Sequence, residues 1–220
     1  REKIFDNIWI QPAAGDAGGA LGAALSAWYL HYDKARIVSP EFDSMKGAYL
    51  GPQFTDEEIE AELVICGANF FKLTEDELIE QVASALAEDK AIGWMQGRME
   101  FGPRALGARS IIADPRSPSM QRQLNLKVKF RESFRPFAPS VLIEHVGEWF
   151  EHYIDSPYML FVANVQKSKR RVMTAVEDSL FGIDKLNVQR SSVPTITHVD
   201  YSARIQTVRT DTNPRYHSLI

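Results

Sequence analysis

The spacing of apolar residues predicts several helices. Leu21, Leu25 and Trp28 recur at helical spacing after a Gly-rich turn, which predicts a helix that ends near Tyr32. Two Thr-x-x-Glu sequences have the spacing of a capping box, and a Ser-Pro and an Asn-Pro step mark two further helix starts. The helix starts predicted in this way are Thr55, Thr74, Ser117 and Asn213.

Short apolar runs predict the strands. The runs are residues 8–10, 91–95, 137–143, 159–165, 193–199 and 203–208. The Gly51-Pro52 step indicates a linker at residues 49–53. Strands interleaved with helices indicate an α/β or mixed α+β layer fold.

Composition narrows the class of protein. Of the 220 residues, 45% are apolar and 25% are charged, which is typical of a soluble globular protein. No run of about 18 apolar residues predicts a membrane span, and no signal peptide is recognisable. The single cysteine, Cys66, excludes an internal disulfide and favours a reducing cytoplasm. Because the first residue is Arg1 and an apolar run follows it, we expect the chain to be a piece of a longer protein.

The charge is unevenly distributed along the chain. The net charge of −4 argues against a general nucleic-acid binder. Residues 96–135 nevertheless carry nine basic and three acidic side chains, a local charge of +6. A basic stretch on an acidic protein indicates a small polyanionic ligand.

The loop after the run at 91–95 combines three arginines with three glycines. Glycines permit close approach of the backbone to a ligand, and arginine side chains bind phosphate in a bidentate manner. We interpret residues 96–110 as an oxyanion-binding loop; the alternative is a solvated loop whose arginines pair with surface acids. The candidate ligands in this loop are Arg98, Glu100, Phe101, Arg104, Arg109 and Ser110.

A second basic segment spans residues 127–137. Lys127, Lys129 and Arg131 alternate, so on an extended segment they would project from one face and repel one another unless an anion neutralised them. Arg135 follows on the same segment. The alternative is a basic edge strand that discourages aggregation.

Two weaker signals lie outside the basic stretch. His198, Asp200 and Ser202 share one face if their segment is extended, with Arg204 next, although a structural turn explains the pattern equally well. Asp16 follows a Gly-rich turn, where it is either an N-cap or a contact to a metal or a nucleotide. The sequence has no P-loop, no G-x-G-x-x-G, no H-E-x-x-H and no G-x-S-x-G.

Five segments together resemble the nodulation and antibiotic O-carbamoyltransferase family, and the resemblance covers nearly the whole chain. The longest are Met-Glu-Phe-Gly-Pro-Arg-Ala-Leu-Gly and Phe-Arg-Glu-Ser-Phe-Arg-Pro-Phe-Ala-Pro. The matching segments are residues 12–20, 99–107, 130–139, 156–159 and 197–200.

The resemblance implies two domains. Residues 1–46 would end an actin-like (ASKHA) domain, residues 47–69 would form a linker with a short helix, and residues 70–220 would form a YrdC-like domain with a twisted open sheet and flanking helices. Asp16 would match a ligand of a divalent metal, expected to be iron, whose histidine ligands lie upstream. The implied partner of this chain is therefore the upstream ASKHA domain.

The resemblance also implies the chemistry. ATP with Mg²⁺ would activate carbamoyl phosphate to carbamoyl adenylate, and a hydroxyl-bearing acceptor would take the carbamoyl group. Lys129, Arg131, Arg135 and Arg104 would be catalytic, and the remaining candidates would bind substrate or nucleotide: Arg98, Glu100, Phe101, Arg109, Ser110, Lys127, His198, Asp200 and Arg204. The alternatives are a threonylcarbamoyl-adenylate synthase that modifies tRNA and a non-catalytic nucleotide sensor.

The sequence departs from the family pattern at two points. Tyr201 stands where the family has glycine, which puts the conformation of that loop in doubt. The Asn-Thr-Ser-Phe-Asn segment of the family does not occur before Ile220. We therefore expect the 220 residues alone to bind anions without turnover.

Overall fold

A computed structural model describes residues 4–5, 8–38, 43–152 and 155–220 of the chain. Within these residues the fold is mixed α+β, as predicted, with short helices around two small sheets. The helices are α1 (Asp16–Ser26), α2 (Asp56–Ile65), α3 (Glu75–Ala87), α4 (Met120–Lys127), α5 (Val146–Trp149), α6 (Ala175–Ser179), α7 (Gly182–Leu186) and α8 (Pro214–Leu219). The strands are β1 (Ile92–Met95), β2 (Arg109–Ile112), β3 (Ser140–Leu142), β4 (Phe161–Asn164) and β5 (Ser202–Val208).

The two sheets differ in topology. Strands β1 and β2 form an antiparallel pair in which Trp94 lies opposite Ser110. The other sheet has the order β3-β5-β4, with β3 parallel and β4 antiparallel to the central strand β5. Residues 203 and 205 of β5 face a cluster with Val141, Val165 and Ile196, and Val208 faces a second cluster with Trp94 and Tyr216. The end of β5 therefore joins the two sheets.

Most predicted helices begin as their sequences require. Both capping boxes form, because Thr55 and Glu58, and likewise Thr74 and Glu77, bond each other's backbone N–H groups. Helix α8 begins after Asn213, whose side chain accepts the backbone N–H of Tyr216. The helix α1 runs to Ser26 and continues as a π-helical turn, Ala27–His31.

The prediction that Ser117 caps a helix was wrong by two residues. Helix α4 begins at Met120, with Ser119 as the preceding residue. Ser117 is buried, and its carbonyl accepts the hydroxyl of Thr195. That bond holds Ser117 in the preceding turn.

Two predicted strands are absent from the described residues. Residues 8–10 are exposed, and no strand pairs with them in the part of the chain that the structure describes. Residues 193–199 contain the 3-10 turn Pro194–Ile196 instead. Pro194 has no N–H for a ladder, and the Thr197 hydroxyl bonds the Val193 carbonyl, which closes the turn.

The predicted linker at residues 49–53 is bonded to the arginine-rich loop. The N–H of Gly51 donates to Met99, and the N–H of Met99 donates back to Pro52, at 2.8 and 2.9 Å. Ala48 is buried in a third cluster with Leu106 and Met159. The segment is therefore packed against the loop that it precedes.

Candidate functional site

A buried carboxylate organises the arginine-rich loop at residues 96–110. Glu100 is only 6% exposed, and its Oε1 accepts the backbone N–H groups of Leu106, Ala108 and Arg109 at 2.6, 2.8 and 3.3 Å. The Ser110 hydroxyl accepts the N–H of Gly107 at 2.9 Å. The geometry thus gives Glu100 and Ser110 structural contacts within the loop, and it does not favour Glu100 as a direct ligand.

The three arginines of this loop have different surroundings. Arg109 donates to the carbonyls of Gln96, Gly97 and Ala108, at 2.7 to 3.1 Å. Arg98 donates to the carbonyl of Gly51 at 3.1 Å. Arg104 is exposed and makes no hydrogen bond or ion pair with any residue that the structure describes. Of the three, Arg104 is the one whose whole guanidinium is without a hydrogen bond to the described residues.

Arg104 lies near a second arginine, Arg204 on β5. Burial, and then the charge of Arg104, lower the pKa of Arg204 from its usual range. Within the described part of the chain, Arg204 also has no ion-pair partner. Two neighbouring guanidinium groups that pair with no carboxylate among the described residues repel each other, so an anion placed between them would be stabilised.

The segment between residues 198 and 202 is a turn beside Arg204. The N–H of Tyr201 donates to the His198 carbonyl, and the N–H of His198 donates to the Ser202 carbonyl. The Asp200 carboxylate accepts both the N–H and the hydroxyl of Ser202. The extended arrangement is therefore wrong and the turn is confirmed, although it still brings His198 close to Arg204.

The electrostatics of His198 reflect these neighbours. Burial lowers the pKa of His198 below its ordinary value of 6.5, Asp200 opposes that shift, and Arg204 adds to it. His198 is consequently neutral at neutral pH. An anion bound beside Arg204 would favour the protonated ring.

Tyr201 has a left-handed backbone conformation, with a φ of 62°. Glycine adopts this conformation without strain and tyrosine does not, which explains physically why glycine suits the position. The guanidinium of Arg170 lies 5.1 Å from the centre of the Tyr201 ring. The turn thus accommodates tyrosine by stacking its side chain.

The second basic segment is not extended. Lys127 is the last residue of α4, and the N–H groups of Val128 and Lys129 both donate to the Leu124 carbonyl. Phe130 has a φ of 48°, so the chain turns back at this point. The expected alternation of Lys127, Lys129 and Arg131 along one face was therefore wrong, because helix α4 extends through the first of them.

Asn125 anchors this second segment. It is fully buried, and its amide donates to the carbonyls of Ser133 and Arg135 at 3.0 and 2.8 Å. Its Oδ1 accepts the Nε–H of Arg131 at 2.6 Å, and the Arg131 guanidinium lies 4.9 Å from the Phe137 ring centre. These contacts fix Arg131 and leave its two terminal nitrogens without a hydrogen bond to the described residues.

The other basic candidates are at the surface. Arg135 pairs with Glu132 at 2.9 Å, while Lys127 and Lys129 are exposed. Phe137, beneath Arg131, packs on the cluster that contains Ile205, whereas Leu106, beside Arg104, packs with Met159. The convergence of Arg104, Lys129, Arg131 and Arg135 on one pocket stays a prediction.

Asp16 does not form a metal site with the described residues. It is exposed at the first residue of α1, one position after the N-cap Gly15, so the N-cap interpretation of Asp16 was wrong by one residue. No group of three or more His, Cys, Asp or Glu side chains in the described ranges could hold a metal ion. Asp16 therefore supplies one carboxylate, which by itself does not fit a metal.

Some residues of this region carry no signal in the sequence. Gln206 on β5 donates to the Leu106 carbonyl at 2.8 Å, and the Tyr49 hydroxyl donates to the same carbonyl at 2.6 Å. Burial raises the pKa of Tyr49 to about 12. Asn125, Gln206 and Tyr49 are single polar residues in apolar surroundings, so only their tertiary contacts reveal their role.

Comparisons with known proteins agree with the family resemblance of the sequence. A family model described as "Carbamoyltransferase C-terminus" matches residues 83–220. A protein of Synechocystis sp. described as uncharacterized is 57% identical over 100% of this chain, and the nodulation protein NolNO of Sinorhizobium fredii is 40% identical over 100%. A 3'-hydroxymethylcephem-O-carbamoyltransferase of Amycolatopsis lactamdurans is 33% identical over 98% of the chain.

The chain spans 36%, 29% and 34% of the lengths of these three relatives, about a third in each case. None of the described helices is long and apolar enough to cross a membrane. The matched residues include both arginine-bearing loops, β5 and the turn before it. The chain therefore belongs to the carbamoyltransferase family, in the region of the family's carboxy terminus.

Proposed function

We propose that this chain is part of an ATP-dependent O-carbamoyltransferase. The observation that carries the proposal is the placement of Arg104 and Arg204, which make no ion pair with the described residues. The Arg104 loop is joined to the Arg204 strand, β5, by the bond from Gln206 to the Leu106 carbonyl. The name of the Amycolatopsis relative supports transfer of a carbamoyl group to a hydroxyl oxygen. The acceptor would accordingly be a hydroxyl-bearing small molecule.

The proposed reaction has three steps. Water cleaves carbamoyl phosphate to inorganic phosphate and carbamate, and a carbamate oxygen then attacks the α-phosphorus of ATP. The bond from that phosphorus to the bridging oxygen breaks, which releases pyrophosphate and leaves carbamoyl adenylate. The acceptor hydroxyl then takes the carbamoyl group, and AMP leaves.

The basic residues would act by electrostatic stabilisation and positioning. The arginines Arg104, Arg131 and Arg204 present guanidinium nitrogens that could bind phosphoryl oxygens in bidentate pairs. Lys129 and Arg135 would add positive charge at the edge of the second loop. Mg²⁺ bound with ATP would neutralise part of the phosphate charge.

The parts of the proposal beyond this chain rest on the family resemblance. We propose a YrdC-like domain here and an ASKHA domain upstream, in a cytoplasmic protein. Asp16 would contribute one ligand to a metal whose other ligands come from elsewhere, and no step is assigned to that metal.

The test uses the full-length protein with ATP and carbamoyl phosphate. Pyrophosphate release is expected, and Arg131→Ala should reduce it by about tenfold or more, since a charge-assisted hydrogen bond is worth roughly 1.5–3 kcal/mol. Lys72→Ala is the control, because Lys72 is exposed and pairs with Glu60 far along the chain from both loops. Nucleotide binding without pyrophosphate release would identify a sensor, and activity with threonine and bicarbonate would identify the tRNA-modifying alternative.

A further inference from the structure

We propose that Glu100 is a positioning residue, which sets the location of Arg104 relative to Arg204; this inference rests on the proposed function. Glu100 is buried and its Oε1 accepts three backbone N–H groups that lie two to five residues after Arg104. It does not reach the ligand itself. It shapes the loop whose exposed tip carries Arg104.

The loop is fixed at both ends of its tip. Before the tip, the N–H of Phe101 donates to the Ala48 carbonyl at 2.6 Å, and Gly102 packs against Ala13. After the tip, the Leu106 carbonyl accepts the side-chain amide of Gln206 at 2.8 Å. Residues 103–105 between these two anchors are exposed.

The hydrogen bond from Gln206 to Leu106 explains why the position of the loop affects the surroundings of Arg204. Gln206 and Arg204 are two residues apart on β5, so their side chains leave the same face of the strand. The Leu106 N–H is held by Glu100 while the Leu106 carbonyl is held by Gln206. Glu100 therefore connects the loop that carries Arg104 to the strand face that carries Arg204.

A carboxylate is required at this position because the groups around it are donors. Three N–H groups converge on Oε1, and Glu100 makes no ion pair with any described residue. A glutamine has the same size and can still accept through its carbonyl oxygen. It would accept more weakly without the negative charge, and its NH₂ group cannot accept a bond from an N–H group.

The experiment is a double-mutant cycle on the full-length protein, with inorganic pyrophosphate as the calorimetric probe at low ionic strength. The proteins are the wild type, Glu100→Gln, Arg104→Ala and the double variant. Glu100→Gln should weaken binding by about tenfold, the scale of one charge-assisted hydrogen bond. In the Arg104→Ala background, Glu100→Gln should not weaken pyrophosphate binding further, because the guanidinium that Glu100 positions is absent.

Ser110→Ala is a milder change in the same loop, since it removes only the acceptor of the Gly107 N–H. It should show the same dependence on Arg104 and keeps the test valid if Glu100→Gln does not fold. Glu75→Gln is the matched control, because Glu75 is exposed and pairs with Arg215 instead.

The outcomes separate the two proposals. Equal weakening by Glu100→Gln with and without Arg104, or no weakening at all, would overturn the positioning role. If the wild type itself bound no pyrophosphate and released none from ATP, the proposed function would fail instead.

Discussion

The two arginine-bearing loops are both rich in basic residues but have opposite kinds of anchor. In the loop at residues 96–110, the buried carboxylate of Glu100 accepts backbone N–H groups. In the segment at residues 125–137, the buried amide of Asn125 donates to backbone carbonyls. The first loop turns its N–H groups inward, and the second turns its carbonyls inward.

This difference in anchor determines which arginine side chains remain available to bind an anion. In the first loop, the carbonyls of Gln96, Gly97 and Ala108 accept Arg109, and Arg104 is left unpaired among the described residues. In the second, Asn125 takes only the Nε of Arg131. The presence of an arginine in a Gly-rich loop therefore does not by itself identify an anion ligand. Its role depends on whether backbone carbonyls lie close enough to accept its N–H groups.

The largest expected effect is that of Gly107→Ala in the first loop. Gly107 has a φ of 99°, and a Cβ there would lie 2.4 Å from Cδ1 of the buried Tyr216 ring. We expect a loss of about 3 kcal/mol or more in the free energy of unfolding, from the clash and the backbone strain together. Urea denaturation measures the loss.

Gly93→Ala is the control for that variant, because no atom lies within 4 Å of the added Cβ. It should change stability far less. A small loss for Gly107→Ala would mean that α8 can move away from the loop, and the first loop would then be less rigid than the contacts with Tyr216 suggest.

Asn125→Ala should have the next largest effect and should act on the second loop. The change leaves the carbonyls of Ser133 and Arg135 without their donor and frees Arg131. We expect a loss of about 2–4 kcal/mol, because the three hydrogen bonds of a buried amide side chain are removed. Chemical denaturation gives the stability, and pyrophosphate titration should show weaker binding even under folded conditions. Stability equal to that of the wild type would show that Asn125 does not anchor the loop.

Protonation of His198 should make anion binding at the first loop depend on pH, and binding at the second loop should not show this dependence. Because the pKa of His198 is lowered by burial, its neutral form stabilises the fold above pH 6.5, and this contribution is lost as the pH falls toward the folded pKa. Anion affinity should have the opposite pH dependence, because protonation of His198 adds a positive charge beside Arg204. Sulfate, whose charge is constant in this range, should therefore bind a few-fold more tightly at acidic pH.

His198→Gln should remove this pH dependence. Arg104→Ala should also reduce it, whereas Arg131→Ala should leave it unchanged if the two loops form separate subsites. Equal effects of both arginine variants on the pH profile would show instead that the loops converge on one pocket.

The smallest effect is expected at Tyr201, which isolates the cost of a left-handed backbone. Its φ of 62° disfavours any side chain, while Arg170 stacks on its ring. Tyr201→Ala loses the stacking and keeps the strain, whereas Tyr201→Gly loses both. The glycine variant should therefore be about 1 kcal/mol more stable than the alanine variant in thermal unfolding. Equal stabilities would mean that strain contributes little, and the loss at Gly107 would then be due to the clash.

Local sequence determined the elements whose signals are local. The capping boxes at Thr55 and Thr74, the Asn-Pro start of α8 and the apolar runs of β1 and β5 formed as predicted, because each depends on groups a few residues apart. The family was also readable from two long motifs, and the matching of residues 83–220 confirms it. Arg104 was a candidate ligand on sequence, and that role stays a prediction.

Tertiary structure alone decided which polar residues face inward. The sequence suggested that Glu100 is a ligand, because a carboxylate among arginines is typical of a binding site. In the structure Glu100 is buried and its carboxylate accepts backbone N–H groups instead. The strand β2 was hidden in the same arginine-rich stretch, since its pairing with β1 depends on residues 14 to 20 positions away. The strand predicted at 193–199 became a turn mainly for a local reason, because Pro194 has no N–H for a ladder and the Thr197 hydroxyl bonds the Val193 carbonyl. A bond from Thr195 to Ser117, 78 residues earlier, adds a tertiary contact.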